Sequence, residues 1–461
     1  MHAVFSCEYL AKTTFFRIFT VHMAILSILW YFSGMPSFIE GRLVLVRMTL
    51  LVAVLALLAV GIATIYAVEH PAQAGEENQD RELGNYWKKQ LAFAAIGALG
   101  FLLANVLNYR PLGAMSFAFY GIILALLALL LVSKYIVPIP FMPMINGTHR
   151  WIEFKIGARK LPQIQPSEVC KLVYIVALAW YLRYRSNYRN FSALLGPFML
   201  TVLPTMLILL EPDLGTAMLM MPVFFTMLFV AGAKVKHLLL IVLMAVLISP
   251  LMWLKMEPYQ RIRISSVLLQ NEWIRQKAEQ HQKFGHILVG GRFSVKQWEN
   301  DWGHHLLRSK FSIASGGAAG YGYRRGPFIK YSFLPFRHND FIFSVIAHQW
   351  GFAGCFGLLF LYGIVIACGL EIAANNTDPF GRLIAVGIVA MFAVEVIVNV
   401  SMTVGLMPIT GLTLPFVSYG GSSLVISMTA VGLLNNVGRC RPFGMSRDTD
   451  KRSLFGVRIR Q

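Results

Sequence analysis

Apolar runs long enough to cross about 30 Å of hydrocarbon recur along the whole chain, and this pattern predicts helix after helix. The runs place spans at about 43–68, 88–107, 112–133, 168–183 and 192–210. The fifth runs straight into Glu211, Pro212 and Asp213, after which the chain re-enters as LGTAMLMMPVFFTMLFVAG. A seventh span reaches about Trp253, and three more are expected at about 341–370, 382–404 and 416–437. Polar stretches interrupt at 134–167 and 255–338. The fold class read from this pattern is an all-α integral membrane protein, with about ten transmembrane helices and a large extracytoplasmic loop before helix 8. Its domains would be an N-terminal extension over 1–42, a polytopic membrane domain over 43–440 with its large outer loop at 255–338, and a basic cytoplasmic tail over 441–461. The extension is expected to lie on or in the membrane. Its apolar run is short, and Pro36, Glu40 and Arg42 interrupt it; a signal peptide is the competing reading.

Composition supports a membrane protein: 56% of the 461 residues are hydrophobic and only 14% charged, with a mean hydropathy of +0.60. A net charge of +19 would suggest nucleic acid in a soluble protein. Here the basic residues lie between apolar runs, so topology and anionic lipid explain them better. An even number of spans puts both termini on one side. The basic segments RYRSNYRN and AGAKVKH, with Arg110 and the tail, make that side the cytoplasm. The five cysteines show no CxxC spacing and imply neither a disulfide framework nor zinc.

With that topology, four polar breaks converge on the outer face. The first surrounds a helix start with Arg150, Trp151, Gln165, Ser167, Glu168 and Lys171; Ser167 and Glu168 also read simply as an N-terminal cap. The second is Glu211-Pro-Asp213, either a plain turn or two carboxylates needing partners, for which Arg150 and Lys171 are the nearest candidates. The third joins SIASGGAAGYG, a flexible linker or a backbone phosphate cradle, to FLPFRHNDFIF, which sets Arg337, His338 and Asp340 at the mouth of an apolar run. Asp340 and Asn339 are equally good helix caps, so capping and catalysis both stay open for this carboxylate. The fourth, MPITGLTLPFVSYGGSS with Ser418 and Ser422, is irregular backbone at membrane depth, which argues for a cavity. Glu395 lies inside a span and should face the bundle and pair. Asp448 and Asp450 form a weak DxD in the tail. His338, Asp340 and His348 lack any zinc-specific spacing, so no metal ligand is assigned. Neither a P-loop nor a dinucleotide fingerprint occurs, so no organic cofactor is expected.

NGTHRW…QPSE, EPDLGTA, YQRIR, SIASGGAAGYG, LPFRHNDFIFSVIA…WGFAG and MPITGLTLPFVSYGGSS resemble, in order and spacing, the SEDS family of bacterial cell-wall proteins, whose branches include RodA, FtsW and SpoVE. DLGTA and the WGF after the catalytic motif look more like RodA. The resemblance covers about 43–440. It implies a ten-helix fold in the bacterial cytoplasmic (inner) membrane, multi-pass with both ends cytoplasmic, and a peptidoglycan glycosyltransferase that polymerises lipid II, an undecaprenyl-pyrophosphate disaccharide-peptide. It implies a class B penicillin-binding protein as partner and a role in rod elongation, with division as the neighbouring possibility. Asp340 matches the family's essential acid and is the expected general base. Arg150, Lys171, Glu211, Asp213, Arg337, His338, Ser418 and Ser422 are the expected substrate-binding residues, with a divalent cation, Mg or Mn, as the one candidate cofactor. The chain departs from the family pattern at Phe336 and at His348-Gln349, where acids usually stand. Its 270–305 segment is also longer than expected. A lipid II flippase and a non-catalytic scaffold are the alternative functions.

Overall fold

The computed structural model describes residues 36–72, 85–137, 139, 141–144, 148–153, 155–156, 159–160, 163–184, 191–300, 303–331 and 338–440. The chain divides into two compact units, 1–48 and 49–461. In the first, the described residues are the opening turns of helix α1, Pro36–Glu69. The helix begins at Pro36, whose missing N–H costs nothing in a first turn, and runs on through Glu40 and Arg42; the apolar run of the extension before it lies outside the described residues.

The second unit continues with α2 (Tyr86–Val106), α3 (Arg110–Tyr135), a short β-hairpin (Lys155–Ile156 with Arg159–Lys160), α4 (Pro166–Leu182), α5 (Leu195–Leu210), α6 (Leu214–Val230) and α7 (Val235–Lys255). Five shorter helices follow: α8 (Pro258–Leu268), α9 (Glu272–Gln280), α10 (Gln282–Val289), α11 (Val295–Asn300) and α12 (His304–Gly316). A single turn, α13 (Pro327–Lys330), precedes the last long helices, α14 (Ile342–Asn375), α15 (Pro379–Val404) and α16 (Gly421–Arg439). A helix therefore occupies each predicted span, and six of them are long and apolar enough to cross a membrane by length and composition.

The centre of the bundle is α15, which packs against α4, α6, α14 and α16. Its side chains are buried from Phe380 to Thr403 with few gaps, whereas α7 buries only Leu238. A helix apolar all round and unburied faces lipid or a partner, and one buried all round is a core element. Ionisable side chains follow the same division, because Glu168 and Lys171 on α4 and Glu395 on α15 lie where protein surrounds them.

The polar 258–316 segment is folded, which its composition did not suggest. Ile262, Leu269, Ala278, Leu288, Val289, Phe293 and Trp298 form a small core of their own. Each helix there contributes only one to three apolar positions, too few to stand out as a periodic pattern in a polar sequence.

The glycine-rich segment after α12 is neither linker nor phosphate cradle. Helix α14 is broken at Gly351 (φ 61°, ψ −156°), which frees backbone groups on both sides of the kink. The carbonyls of His348 and Gln349 accept from the N–H groups of Tyr321 and Gly322 at 3.0 and 2.9 Å, and the N–H groups of Phe352 and Ala353 donate to Gly317 and Ala318 at 2.9 and 3.1 Å. This pairing needs backbone against backbone: a Cβ on Gly316 would stand 1.9 Å from the Ala347 carbonyl oxygen. The N–H groups of Tyr321 and Gly322 are thus committed to the kink and that of Gly320 to the Gly316 carbonyl, which corrects the cradle reading.

Candidate functional site

Asp340 lies one residue before the N-cap of α14, and that cap, Phe341, makes no side-chain capping bond. Capping does not account for the carboxylate. What fixes it comes from far along the chain. Asn399 on α15 donates to the Asp340 carbonyl at 3.1 Å and to the Leu412 carbonyl at 2.7 Å. Ser418 donates to the Asn339 carbonyl and accepts from Leu414 N–H, both at 2.8 Å. Tyr419 N–H donates to the His338 carbonyl at 2.8 Å. The irregular 405–420 segment is thereby tied to residues 338–340, and its Leu412, Leu414, Phe416 and Val417 side chains are buried. Instead of leaving a hole, much of this re-entrant segment fills its own depth with side chains.

The residue itself stays partly exposed. Gly411 (φ 77°) faces it, and even a Cβ there would remain 3.6 Å from Asp340 Oδ2. Burial pushes the Asp340 carboxyl up to about 6; the positive charge of Arg263 pulls it down and Asp213 adds to the rise. Arg263 and Asp213, distant in sequence, therefore share its electrostatic neighbourhood. Arg263 was not singled out from the sequence, although the YQRIR motif that carries it was the available signal. Beside Asp340, the His338 ring stacks on Tyr86, with centroids 4.4 Å apart, and meets Tyr419 edge-on.

Asp213 is the N-cap of α6. It accepts from Thr216 N–H and Oγ1 at 3.2 and 3.0 Å, from Ser167 Oγ at 2.9 Å and from Gln165 Nε2 at 3.1 Å. Ser167 thus serves the cap of a neighbouring helix rather than its own: α4 starts at Pro166 behind Gln165, with no side-chain cap bond. Ser422 fastens the same stretch, accepting from Gln165 N–H and donating to the Gln163 carbonyl, both at 3.1 Å.

The expected partners of the Glu211–Asp213 turn are arranged differently. Arg150 donates through Nε to the Glu211 carbonyl at 2.7 Å and through Nη2 to the Pro212 carbonyl, so it clamps the turn's backbone. Lys171 lies elsewhere, inside the bundle, with its ammonium 2.7 Å from Glu168 and 2.6 Å from Glu395. That corrects its pairing with the turn acids, and Glu395 pairs as an intramembrane acid should. The Glu211 carboxyl has no hydrogen-bond partner on either oxygen among the described residues. Burial, aided by Asp213 and opposed by Arg150 and Lys134, pushes it up to about 9, so it is a neutral acid at pH 7.

Arg337, Phe336, Asp448 and Asp450 lie outside the described residues. His348 is fully buried and pairs with Ser315 across 2.8 Å, behind the kink rather than beside Asp340. Among the described residues no group of three or more His, Cys, Asp or Glu is placed to hold a metal ion.

Comparison with known proteins agrees with this architecture. Residues 48–441 match the model of the FtsW/RodA/SpoVE cell cycle proteins. The chain is 31% identical over 438 residues to the peptidoglycan glycosyltransferase RodA of Treponema pallidum, covering 84% of this chain and 96% of that protein. It is 32% identical over 396 residues to the stage V sporulation protein E of Bacillus subtilis, covering 85% and 96%. A solved structure described as the structural coordination of polymerization and crosslinking by a peptidoglycan synthase complex aligns with a TM-score of 0.64 at 31% identity, covering 85% of this chain and 96% of that one. The rod shape determining protein RodA of Thermus thermophilus aligns with a TM-score of 0.55 at 29% identity, covering 85% and 95%.

Proposed function

The chain belongs to the FtsW/RodA/SpoVE family of cell cycle proteins, the SEDS family, and from that premise we infer that it is a peptidoglycan glycosyltransferase building glycan strands from lipid II. It is a multi-pass bacterial membrane protein. One observation carries the mechanism: the carboxyl of a partly exposed aspartate, pushed up to about 6, on a stretch held at the end of the bundle by contacts from two distant segments and relieved of any capping duty.

Asp340 is the general base. It takes the proton from the acceptor sugar's 4-hydroxyl as that oxygen attacks the donor's anomeric carbon. The bond from the anomeric carbon to the pyrophosphate oxygen breaks, and its electron pair leaves with the lipid pyrophosphate. Attack opposite the leaving group inverts the anomeric centre. A carboxyl with a pKa near 6 is mostly ionised at pH 7 yet still basic enough to accept a proton in the transition state. Arg263, whose charge already acts on Asp340, is the cation assigned to the leaving pyrophosphate, together with Arg337 from the expected set. Arg150, Asp213, Ser418 and Ser422 hold the walls through the bonds described above.

The site lies on the outer face with both termini cytoplasmic, where sugars reach water while the lipid tail stays in the bilayer. The kinship with proteins named RodA supports rod elongation, and the likeness to a peptidoglycan synthase complex supports a class B penicillin-binding protein as partner. Purified chain in proteoliposomes with lipid II tests the reading. Wild type is expected to produce polymer, and Asp340→Asn to produce none while remaining folded. Full polymerisation by that variant sinks the base assignment; lipid movement without polymer identifies a flippase, and inertness with and without the transpeptidase a scaffold.

A further inference from the structure

The helical insert α8–α12 carries a surface that its own core does not use. On α10, Gly285, Leu288 and Val289 face that core, which leaves Lys283 and Ile287 on the opposite side with Phe284 at the edge. On α9, Ala278 is buried and Trp273 and Lys277 point away from it. Lys277 links the two helices at that edge: its ammonium lies 4.6 Å from the Trp273 ring centroid and 5.8 Å from that of Phe284. Trp273 is 65% exposed and Ile287 53%. The patch is therefore apolar and aromatic, set with two lysines.

Its position relative to the bilayer follows from one bond. Trp253, two residues before the end of α7, donates from Nε1 to the Ile287 carbonyl at 2.9 Å. Leu247, Leu251 and Leu254 on that last stretch of α7 are all exposed, as lipid-facing side chains are. A tryptophan at the end of such a helix marks the membrane–water boundary, so α10 is pinned at headgroup level. Residues 258–316 hold nine Lys and Arg against four Asp and Glu.

We propose that the Trp273–Lys277–Lys283–Ile287 face docks on anionic phospholipid headgroups around the end of α7, and so holds the insert against the bilayer. Two lysines, an indole and an isoleucine on one face at that depth match how amphipathic helices lie in an anionic interface. The occupant is lipid rather than a protein because the patch continues, through Trp253, into the lipid-facing surface of α7. The proposal does not depend on the reaction assigned above.

Hydrogen–deuterium exchange of the whole chain in nanodiscs tests it. Exchange over 272–289 is expected to slow severalfold in phosphatidylglycerol relative to phosphatidylcholine, to recover at high salt, and to leave α15 unchanged. Lys277→Glu with Lys283→Glu is expected to cut the docked fraction on the order of fivefold or more per lysine. Equal exchange in the two lipids overturns the proposal on the unmodified chain, whatever the variant does. Protection that appears only when a partner protein is added overturns it too, and reassigns the face to that protein.

Discussion

Lys171 offers the most decisive test of how the bundle treats charge. Its ammonium touches Glu168 at 2.7 Å and Glu395 at 2.6 Å, and all three side chains are almost fully buried. Replacing it by Met keeps the volume but leaves two carboxylates facing one another without a cation. Breaking a buried pair in this way costs about 3–5 kcal/mol, whereas replacing every member of a buried ionic group by neutral residues is often neutral or stabilising. Lys171→Met should therefore lower the unfolding midpoint in an SDS titration sharply. Adding Glu168→Gln and Glu395→Gln should restore most of the loss. Lipid II turnover by the restored triple variant then separates two roles for Lys171. A structural lysine predicts that polymerisation returns with stability and that KM stays near wild type. A stable triple variant with strongly raised KM would refute the reasoning and return Lys171 to substrate binding.

Three further outcomes follow from the same structure. Polymerisation should fall about tenfold from pH 7 to pH 5, the range in which a carboxyl with a pKa near 6 goes from mostly ionised to mostly protonated; a profile flat across that range removes Asp340 as base. Glu211, pushed up to about 9, is neutral in the fold at pH 7 but ionised when unfolded, so its stabilising contribution is present below about pH 4.5 and is lost as pH rises toward 9. Glu211→Gln should thus raise stability at pH 7 by up to about 3 kcal/mol, with no gain at pH 4, as unfolding midpoints at the two pH values would reveal. Gly316→Ala should cost at least 1–3 kcal/mol by driving a methyl into the Ala347 carbonyl, while Gly121→Ala, with nothing within 4 Å of its Cβ, should leave thermal stability near wild type in the same melt.

Most of the helical layout was legible because hydrocarbon imposes a single readable rule, a long apolar run. The site was legible only as a set of suspicious polar breaks. Capping shows why. Asp340 and Ser167 both look like caps in their local sequence, and neither caps its helix: Asp340 lies before the N-cap of α14 and Ser167 already inside α4; Asp213, read as part of a turn, caps α6. A side chain caps only if the backbone before the helix turns to present it, and here distant residues decide that turn. Asn399 and Ser418 reach residues 339–340 across 59 and 79 positions of sequence. The core of the insert was missed for a related reason: seven buried residues spread over several short helices and the turns between them leave no period to detect.

Glu395, Glu211 and Asp340 are the same chemistry in three surroundings, and the contrast argues for where reaction takes place. Glu395 is enclosed with a lysine at 2.6 Å, so its charge is already answered by protein. Glu211 is enclosed with no hydrogen bond to its carboxyl among the described residues, which holds its proton through physiological pH and denies it any use as a base. Asp340 alone of the three is partly exposed, raised only to about 6, and faces a glycine, Gly411. Moving it deeper would make it a second Glu211, and placing a lysine on it would make it a second Glu395. Either change would end its capacity to take a proton at neutral pH. The contacts from Asn399, Ser418 and Tyr419 therefore matter less for stability than for depth, because they stop the carboxylate at the one level where burial and access balance.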